Sequence, residues 1–411
     1  MRKSLSLFLS LLLFVMPGQL AARQRKALFV ILDGIPADCI WRLQPPTIMS
    51  IAREGHLGRA FCGGERNMYN QTPTISAVGY TNILTGTWVN KHNVWDNSNI
   101  KINYNYWNIF RIAENQPRPV TTALFSSWTD NRTILLGAGK PEAGNLKIDY
   151  VFDGYDLDKA RFPKKPDELQ VLDYDIQVAA DAAKCIGNDA PDLSWLYLWY
   201  SDDAFHLHGY GAFADRYVMK ADSLLSQVWK AVKMREKKYK EDWLVIVTTD
   251  HGRAVTGFGH GGQTDNERNI WMATNIKKVN RHFFSPTLSH VDILPTICRW
   301  MNFEIPRNVG FELDGQPFYG RCHMADLFAR KYDDKVILYW NYLGRRSGDV
   351  RRRVPVYVAT TNNFATGGED KWQIVGWADE QTGQYSVDLC KLPKSSFYKF
   401  SVGGLSRWWK P

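Results

Sequence analysis

The sequence lacks long apolar runs, close cysteine pairs, repeats and nucleic-acid-binding motifs, and each absence removes a class of protein. None of its apolar segments reaches the roughly 20 residues of a comfortable membrane span. The six cysteines, at positions 39, 62, 185, 298, 322 and 390, permit disulfides in an oxidising compartment but are too scattered for a zinc knuckle. No internal repeat or low-complexity segment indicates a solenoid or a disordered tail. We therefore expect a globular protein, which the 45% apolar content supports.

The net charge of +9 does not by itself indicate a nucleic-acid partner. Part of the excess lies in one cluster, at Arg345, Arg346 and residues 351–353. We interpret this cluster as a solvated loop, because no nucleic-acid-specific motif accompanies it. A general attraction for anionic substrates is compatible with the charge.

The N-terminal segment has the features of a cleavable secretory signal. Arg2 and Lys3 precede an apolar stretch, residues 5–16, and small residues follow it up to Ala22. We expect residues 1–22 to be a signal peptide, giving an exported protein, periplasmic or secreted, with no transmembrane segment after signal removal. No cysteine follows the stretch to accept a lipid, and a retained N-terminal anchor is the alternative.

Three hydrophobic runs lead into acidic residues, a pattern typical of buried parallel strands. The runs and acidic residues are 27–32 with Asp33, 193–200 with Asp202, and 243–249 with Asp250. Helical patterns lie between them, at 76–84, 174–186 and 212–233. The sequence therefore predicts an α/β fold with a mostly parallel sheet flanked by helices. The acidic residues should meet at the edge where such sheets bind ligands.

Near Asp333 short β-rich stretches separated by turn residues replace the α/β pattern. The stretches are 336–340, 354–359, 372–377, 385–389 and 397–402. We expect residues 23–330 to form the catalytic domain and residues 331–411 a small C-terminal β-domain, built as a sandwich. Its many aromatic residues are interpreted as core or interface, with carbohydrate contact as the alternative.

Acidic and imidazole side chains after these runs predict a metal site. They are Asp33, Asp202, His206, Asp250, His251 and His260. Unpaired buried carboxylates are costly, so such residues converge where cations hold them together. Six ligands suffice for two divalent cations with open positions for a substrate, an arrangement used in phosphoryl transfer. Imidazole favours zinc, our first choice, although carboxylates also tolerate magnesium or manganese.

The order of these residues resembles that of the alkaline phosphatase superfamily, and within it the nucleotide pyrophosphatase/phosphodiesterase branch. That branch has an aspartate after the first strand, then a hydroxyl nucleophile nine positions before the threonine of a Thr-Gly pair. An Asp-x-x-Gly-His-x-x-Gly segment, an Asp-His-Gly after a strand and a later histidine follow. Here the pieces are Asp33, Ser76 with Thr85-Gly86, residues 202–209, residues 250–252, and His260, so the resemblance covers roughly residues 27 to 310.

The resemblance implies a role for each residue. Asp33, Asp250 and His251 would hold the cation that contacts Ser76, and Asp202, His206 and His260 would hold the other. Ser76, itself a metal ligand, would attack phosphorus and form a phosphoserine that water hydrolyses. Asn97 matches the family's phosphate-oxygen donor, binding through a side-chain N–H.

Two of these assignments have alternatives. Thr74 is the second candidate nucleophile, but it lacks the nine-residue spacing. His208 could replace His206 as a ligand, although the four-residue step from Asp202 favours His206. His92 and His290 are expected to hold loops by hydrogen bonds, as isolated histidines usually do.

The sequence also departs from the family pattern. Ser76 stands for the usual threonine, Ala77-Val78-Gly79 replaces the Phe-Pro-Asn that follows it, and Phe205 replaces the glycine of the second metal motif. We expect these changes to affect substrate class more than metal binding. The sulfatase signature Cys-or-Ser-x-Pro-x-Arg is absent, because Val78 and Tyr80 occupy its Pro and Arg positions.

We therefore predict an enzyme, a metal-dependent hydrolase that cleaves phosphodiester or pyrophosphate bonds of a small phosphate-ester substrate. No arginine adjoins Ser76 in the sequence to neutralise the extra charge of a monoester, and Asn97 is a neutral donor. The alternatives are a phosphomonoesterase, a phosphoethanolamine-type transferase, and a non-catalytic secreted glycan-binding protein. Residues 99–170, rich in Tyr, Trp and Asn, are the expected substrate-facing insertion. Nothing in the sequence indicates an oligomeric state.

Overall fold

The structure, a computed structural model, describes residues 23–344 and 350–411. The expected signal peptide and Arg345 and Arg346 of the basic cluster lie outside these ranges. Within them, no helix combines the length and the apolar character needed to cross a membrane. All six cysteines are described, and none is paired in a disulfide.

A seven-stranded sheet forms the centre of the larger domain, in the order β2-β7-β6-β1-β5-β3-β4. Only β7 runs against its neighbours, so the sheet is mostly parallel, as predicted. The strands are β1 Arg25–Leu32, β2 His56–Phe61, β3 Thr122–Ser126, β4 Tyr150–Phe152, β5 Leu193–Leu198, β6 Asp242–Thr248 and β7 Asn269–Thr274.

Helices cover both faces of this sheet. They are α1 Ala37–Leu43, α2 Pro46–Glu54, α3 Ser76–Thr85, α4 Val89–His92, α5 Ile109–Glu114, α6 Leu169–Asn188, α7 Tyr200–His208, α8 Ala212–Tyr239, α9 Asp265–Arg268, α10 Ile293–Met301 and α11 Arg307–Gly310. Successive strand residues point to opposite faces. In β1, Phe29 and Ile31 therefore pack in the core that contains α3, while Leu28 and Val30 pack in the core that contains α8.

Two expectations about this domain need correction. The strand expected over 193–200 ends at Leu198 and α7 begins at Tyr200, so Asp202 lies in the first turn of a helix. Residues 99–170 are not only a substrate-facing insertion, because they supply α5 and the strands β3 and β4. The apolar side chains of β3 are fully buried, which a surface insertion would not provide.

The C-terminal domain consists of two antiparallel sheets that share one apolar core. Its strands are β8 Met324–Tyr332, β9 Lys335–Tyr342, β10 Arg353–Ala359, β11 Gln373–Asp379, β12 Gln384–Asp388, β13 Tyr398–Val402 and β14 Leu405–Trp409. The sheet orders are β11-β10-β13-β14 and β12-β9-β8. Five of the strands correspond to predicted stretches, whereas β8 and β14 were not predicted. Since β8 begins at Met324, the β structure starts before the expected boundary at residue 331.

A buried ion pair joins the two domains. Lys399 on β13 contacts Glu312 of the larger domain at 2.5 Å, and it also contacts Asp370 of its own domain at 2.8 Å. Within the larger domain, Lys91 on α4 contacts Asp314 at 2.6 Å. These lysines are almost fully buried, so their carboxylate partners are needed to offset the cost of desolvation.

Candidate metal centre

Three adjacent elements bring the predicted ligands to one edge of the sheet. Asp33 directly follows β1, and Asp250 follows β6, the neighbour of β1. On the other side of β1, the chain leaves β5 and enters α7, which carries Asp202. Ser76 is the first residue of α3, a helix whose residues are all buried. The sequence prediction that these residues meet agrees with the geometry below.

Asp33, Asp250 and His251 form the first group of candidate ligands. One ligand atom from each lies within 4.8 Å of the others. His251 Nε2 is 3.6 Å from Asp33 Oδ1 and 3.2 Å from Asp250 Oδ2. Neither of these two oxygens has a hydrogen-bond partner among the described residues. Two orphaned buried carboxylate oxygens beside an imidazole nitrogen fit the demands of a divalent cation.

The other oxygen of each carboxylate is held in place. Asp33 Oδ2 accepts hydrogen bonds from the hydroxyls of Tyr80 and Tyr197, the latter at 2.6 Å. Asp250 Oδ1 accepts from the backbone N–H of Gly34 at 2.9 Å. Because one oxygen of each is committed, the free oxygens are oriented toward the shared space with His251. Tyr80 and Tyr197 were missed by sequence reasoning, since each resembles an ordinary core aromatic.

The second group shares His251 with the first. Ligand atoms of Asp202, His251 and His260 lie within 4.8 Å of one another. His206, the expected third ligand, is adjacent: its Nε2 is 3.1 Å from Asp202 Oδ2 and 3.0 Å from His260 Nε2. All six predicted ligands are therefore neighbours in space, and His251 lies between the two groups.

Hydrogen bonds at the far nitrogens orient two imidazoles. His251 Nδ1 lies 2.9 Å from the carbonyl of Gly252, and His260 Nδ1 lies 2.9 Å from the carbonyl of Thr74. A carbonyl can only accept, so Nδ1 carries the proton in both rings and Nε2 keeps its lone pair for a ligand. The Thr74 hydroxyl also accepts from Gly261 N–H at 3.0 Å. Thr74, the alternative nucleophile, is therefore engaged with the loop that carries His260.

The candidate nucleophile stands at the edge of the first group. Ser76 Oγ is 3.2 Å from His251 Nε2 and only 7% of the residue is exposed. The side-chain oxygen of Asn97 accepts a hydrogen bond from Ala77 N–H at 2.8 Å, which places its amide N–H₂ at the same end of α3. Ser76 and Asn97 therefore flank the helix N-terminus, where an anion is favoured.

The pKa shifts follow from burial. Burial raises the pKa of Asp33 well above its ordinary value, and the charges of Asp250 and Asp202 add to the effect. Burial likewise raises the pKa of Asp250 to about 7. It lowers the pKa of both His251 and His260, which keeps these imidazoles neutral. Ionising several buried carboxylates beside one another is costly, and a bound cation would offset that cost. The neutral imidazoles next to them can coordinate the same cation.

Asp202 behaves differently because of an arginine that sequence reasoning missed. Burial acts to raise its pKa, but the Arg253 guanidinium and His206 hold that pKa well below its usual range. Arg253 is fully buried and bonds Asp202 directly. Arg253 is the next residue after the Asp-His-Gly segment. Its contact with Asp202 could not be predicted, because no sequence spacing connects position 253 to position 202.

Three histidines considered in the sequence lie outside the centre. His208 Nε2 lies 3.2 Å from Asp167 Oδ1, and its ring packs on Phe213. His92 and His290 hold buried loops, as expected. Burial lowers the pKa of the first to about 3 and of the second to about 4.

Comparison with known proteins assigns the chain to a family. Residues 27–259, more than half of the chain, match the family described as type I phosphodiesterase / nucleotide pyrophosphatase, and this match supports phosphoester hydrolysis. No curated protein resembles the chain closely enough to match.

One solved structure shares the fold at low identity, and two others resemble the chain more distantly. Ps i-CgsB in complex with k-i-k-neocarrahexaose has a TM-score of 0.50 and 15% identity, covering 78% of this chain and 82% of that chain. The phosphonate monoester hydrolase of Agrobacterium radiobacter has a TM-score of 0.48 and 15% identity, covering 94% and 89%. A protein in the alkaline phosphatase superfamily from Vibrio parahaemolyticus has a TM-score of 0.47 and 13% identity, covering 78% of each chain. The chain belongs to the type I phosphodiesterase / nucleotide pyrophosphatase family.

Proposed function

We propose that the protein is a two-metal phosphohydrolase that cleaves phosphodiester or pyrophosphate bonds through a phosphoserine intermediate. The observation that carries the proposal is the position of Ser76. Its hydroxyl opens a buried helix and lies 3.2 Å from His251 Nε2, beside two carboxylate oxygens without partners. A serine in this position has both an anion-binding helix end and a cation-binding cradle as neighbours.

Asp33, Asp250 and His251 would hold one cation, and Asp202, His206 and His260 the other. Zinc suits three imidazoles among six ligands best, although the carboxylates also accept magnesium or manganese. Divalent cations bound there would lower the pKa of a hydroxyl and withdraw charge from phosphate oxygens.

The chain's own groups then define the reaction. Ser76 Oγ loses its proton to solvent and attacks phosphorus, a new Oγ–P bond forms, and the bond to the leaving oxygen breaks. The leaving oxygen takes up a proton from solvent. With a diester, the phosphoryl group on Ser76 keeps its second ester substituent until water releases it. The N-terminal end of α3 favours the charge on the transferred phosphate. Asn97, with its carbonyl oxygen anchored on Ala77 N–H, has its amide N–H₂ free to donate to a phosphate oxygen. Water then breaks the Oγ–P bond and restores the serine.

A diester fits this centre better than a monoester. A monoester carries one more negative charge, which is commonly neutralised by a positively charged side chain. Arg253 folds toward the centre, but it is fully buried and its guanidinium donates to Asp202 and to the carbonyls of Gly34 and Phe258. It is therefore not free to bind a substrate phosphate, and Asn97 remains as a neutral donor.

The proposal includes export of the enzyme. Residues 1–22 have the charge and apolar pattern of a signal peptide. We expect the mature protein isolated from the producing cell to begin at Arg23, which intact-mass measurement checks. A mature protein that retains Met1 would favour the anchored alternative.

Turnover of three substrates, with trapping of the covalent intermediate, tests the function. We expect bis-p-nitrophenyl phosphate and a nucleotide diester to be cleaved faster than p-nitrophenyl phosphate. Acid-quenched enzyme should carry a phosphoryl group, with the ester substituent that the diester retains, on the peptide that contains Ser76. Ser76→Ala should lose both the adduct and turnover. Ser226→Ala removes an exposed hydroxyl on α8 and should change neither.

Three outcomes would contradict the proposal. Faster monoester cleavage would favour the phosphomonoesterase, and transfer of the phosphoryl group to an added alcohol in preference to water would favour the transferase. Full turnover by Ser76→Ala would reject the serine nucleophile, and Thr74 would then be the next residue to test.

A further inference from the structure

Arg253 donates four hydrogen bonds to the segments that form the candidate metal centre. Its Nε donates to the carbonyl of Gly34 at 3.1 Å, and its Nη1 donates to the carbonyl of Phe258 at 3.3 Å. Its Nη2 donates to the carbonyl of Asp202 at 3.1 Å and to Oδ1 of the same residue. The guanidinium thus bridges the end of β1, the first turn of α7 and the loop before His260.

The contact with Asp202 divides that carboxylate between two partners. Oδ1 faces Arg253, while Oδ2 lies 3.1 Å from His206 Nε2. Oδ1 also lies 3.7 Å from His251 Nε2 and 4.0 Å from His260 Nε2, so it faces the other candidate ligands. Arg253 therefore competes with a cation for this oxygen, while Oδ2 stays beside His206.

Gly34 leaves space for the arginine, and Phe205 packs against it. Gly34 has φ +63°, and a Cβ there would lie 2.4 Å from Arg253 Nη2. The ring of Phe205 lies under the guanidinium, with 5.1 Å between the guanidinium carbon and the ring centroid. Phe205 stands where the family pattern has glycine, so one departure from that pattern supports the buried arginine.

We propose that Arg253 is a fixed positive charge beside the second cation site, and that it makes the two sites unequal in metal affinity. The inference rests on the proposed two-metal function. Arg253 repels a second dication and occupies one oxygen of its carboxylate ligand, and both effects weaken binding. The first site contains Asp33 and Asp250 and has no such competitor, so it fills first.

Titration of the metal-free protein with Zn²⁺ against a chromophoric chelator tests the inference without measuring activity. We expect wild-type protein to bind two equivalents in separate steps, the second weaker by about tenfold or more. Arg253→Met keeps the length and the apolar contact with Phe205 but removes the charge. It should tighten the second step about tenfold and leave the first within about threefold. Arg253→Lys keeps the charge and should preserve the gap.

Two further variants show which site each binding step belongs to. Asp202→Asn should remove the weak step, and Asp33→Asn should remove the tight one. Equal steps in wild-type protein, or an unchanged gap in folded Arg253→Met, would overturn the role of Arg253. If Arg253→Met does not fold, Arg253→Gln takes its place in the same titration with the same expected result, because it also removes the charge but keeps amide N–H donors for the carbonyls. Failure of wild-type protein to bind any metal would instead reject the two-metal function itself.

Discussion

The two tyrosines behind Asp33 offer a sharp test of how the first site is built. Tyr197 OH donates to Asp33 Oδ2 at 2.6 Å, and Tyr80 donates to the same oxygen. Both rings are almost fully buried. In Tyr197→Phe the ring stays and one donor is lost, so Oδ2 is held less firmly. The carboxylate can then rotate about its Cβ–Cγ bond, which moves Oδ1 away from the position it shares with His251.

The size of the effect follows from the kind of bond that is lost. A hydrogen bond to a charged group contributes about 1.5–3 kcal/mol, and the loss of a group that orients a metal ligand typically costs about 10–100-fold in affinity. We therefore expect Tyr197→Phe to weaken metal binding at the Asp33 site by about tenfold or more. The loss should grow as the pH falls. Tyr197 acts to lower the pKa of Asp33, so without it protons compete better with the cation.

Metal titration of the metal-free variant at several pH values provides the assay. Tyr106→Phe is the matched control, since its buried hydroxyl has no partner among the described residues. It makes the same chemical change and should leave the affinity within about twofold, because no ligand is released. Equal affinities of Tyr197→Phe and wild-type protein would refute the argument that this hydroxyl orients Asp33.

Three further predictions concern stability. Gly79→Ala places a Cβ 2.6 Å from a backbone carbonyl oxygen, so the unfolding free energy in urea should fall by about 1–3 kcal/mol, and an unchanged value would contradict the close packing. Burial acts to lower the pKa of His282, but Asp292, 3.0 Å away, outweighs it and raises that pKa above 6.5. The pair's contribution to the unfolding free energy is therefore complete below pH 6.5 and is lost as the pH rises through the folded pKa. His282→Gln lacks this contribution at every pH, so the urea midpoints of wild-type protein and the variant should converge with rising pH. Lys399→Met leaves two buried carboxylates unpaired and should destabilise by about 3–5 kcal/mol, whereas Lys391→Met, at an exposed pair, should cost less than about 1 kcal/mol; similar losses would contradict this distinction.

Two of the candidate ligands could be predicted to lie together because each follows a hydrophobic run. Asp33 and Asp250 follow β1 and β6, and such positions meet at one edge of a parallel sheet. Asp202 was expected at the end of a strand, and it lies at the same edge of the sheet but in the first turn of a helix. The apolar run before it continues from β5 into α7, and periodicity over so few residues does not separate a buried strand from the start of a buried helix.

The groups behind the ligands were not predictable, because their contacts depend on the folded chain. Tyr197 and Asp33 are 164 positions apart, and Arg253 and Asp202 are 51 apart. Within the sequence, Tyr197 is one more aromatic residue in an apolar strand. Nothing in local pattern separates a hydroxyl that orients a ligand from one that points into the core.

In the C-terminal domain the two missed strands were missed for different reasons. In β8, pairing with β9 shifts between Ala325 and Phe328, and Asp326 has a positive φ of 60°. The bulge interrupts the alternation by which strands are recognised. The five residues of β14 complete a hairpin with β13 across Gly403-Gly404, and the aromatic residues at its end were interpreted as core or interface rather than as part of a strand.

The departures from the family pattern lie in the buried part of the candidate centre. Ala77, Val78, Gly79 and Phe205 are all buried, so none of them forms a surface that a substrate touches. Gly79 lets α3 approach the strand end that carries Asp250, and Phe205 supports Arg253. These changes therefore lie behind the candidate ligands rather than on a surface open to a substrate. The expectation from the sequence that they affect substrate class more than metal binding stays a prediction. Contacts that select the substrate must come from accessible residues at the open side, such as the exposed segment that carries Asn97.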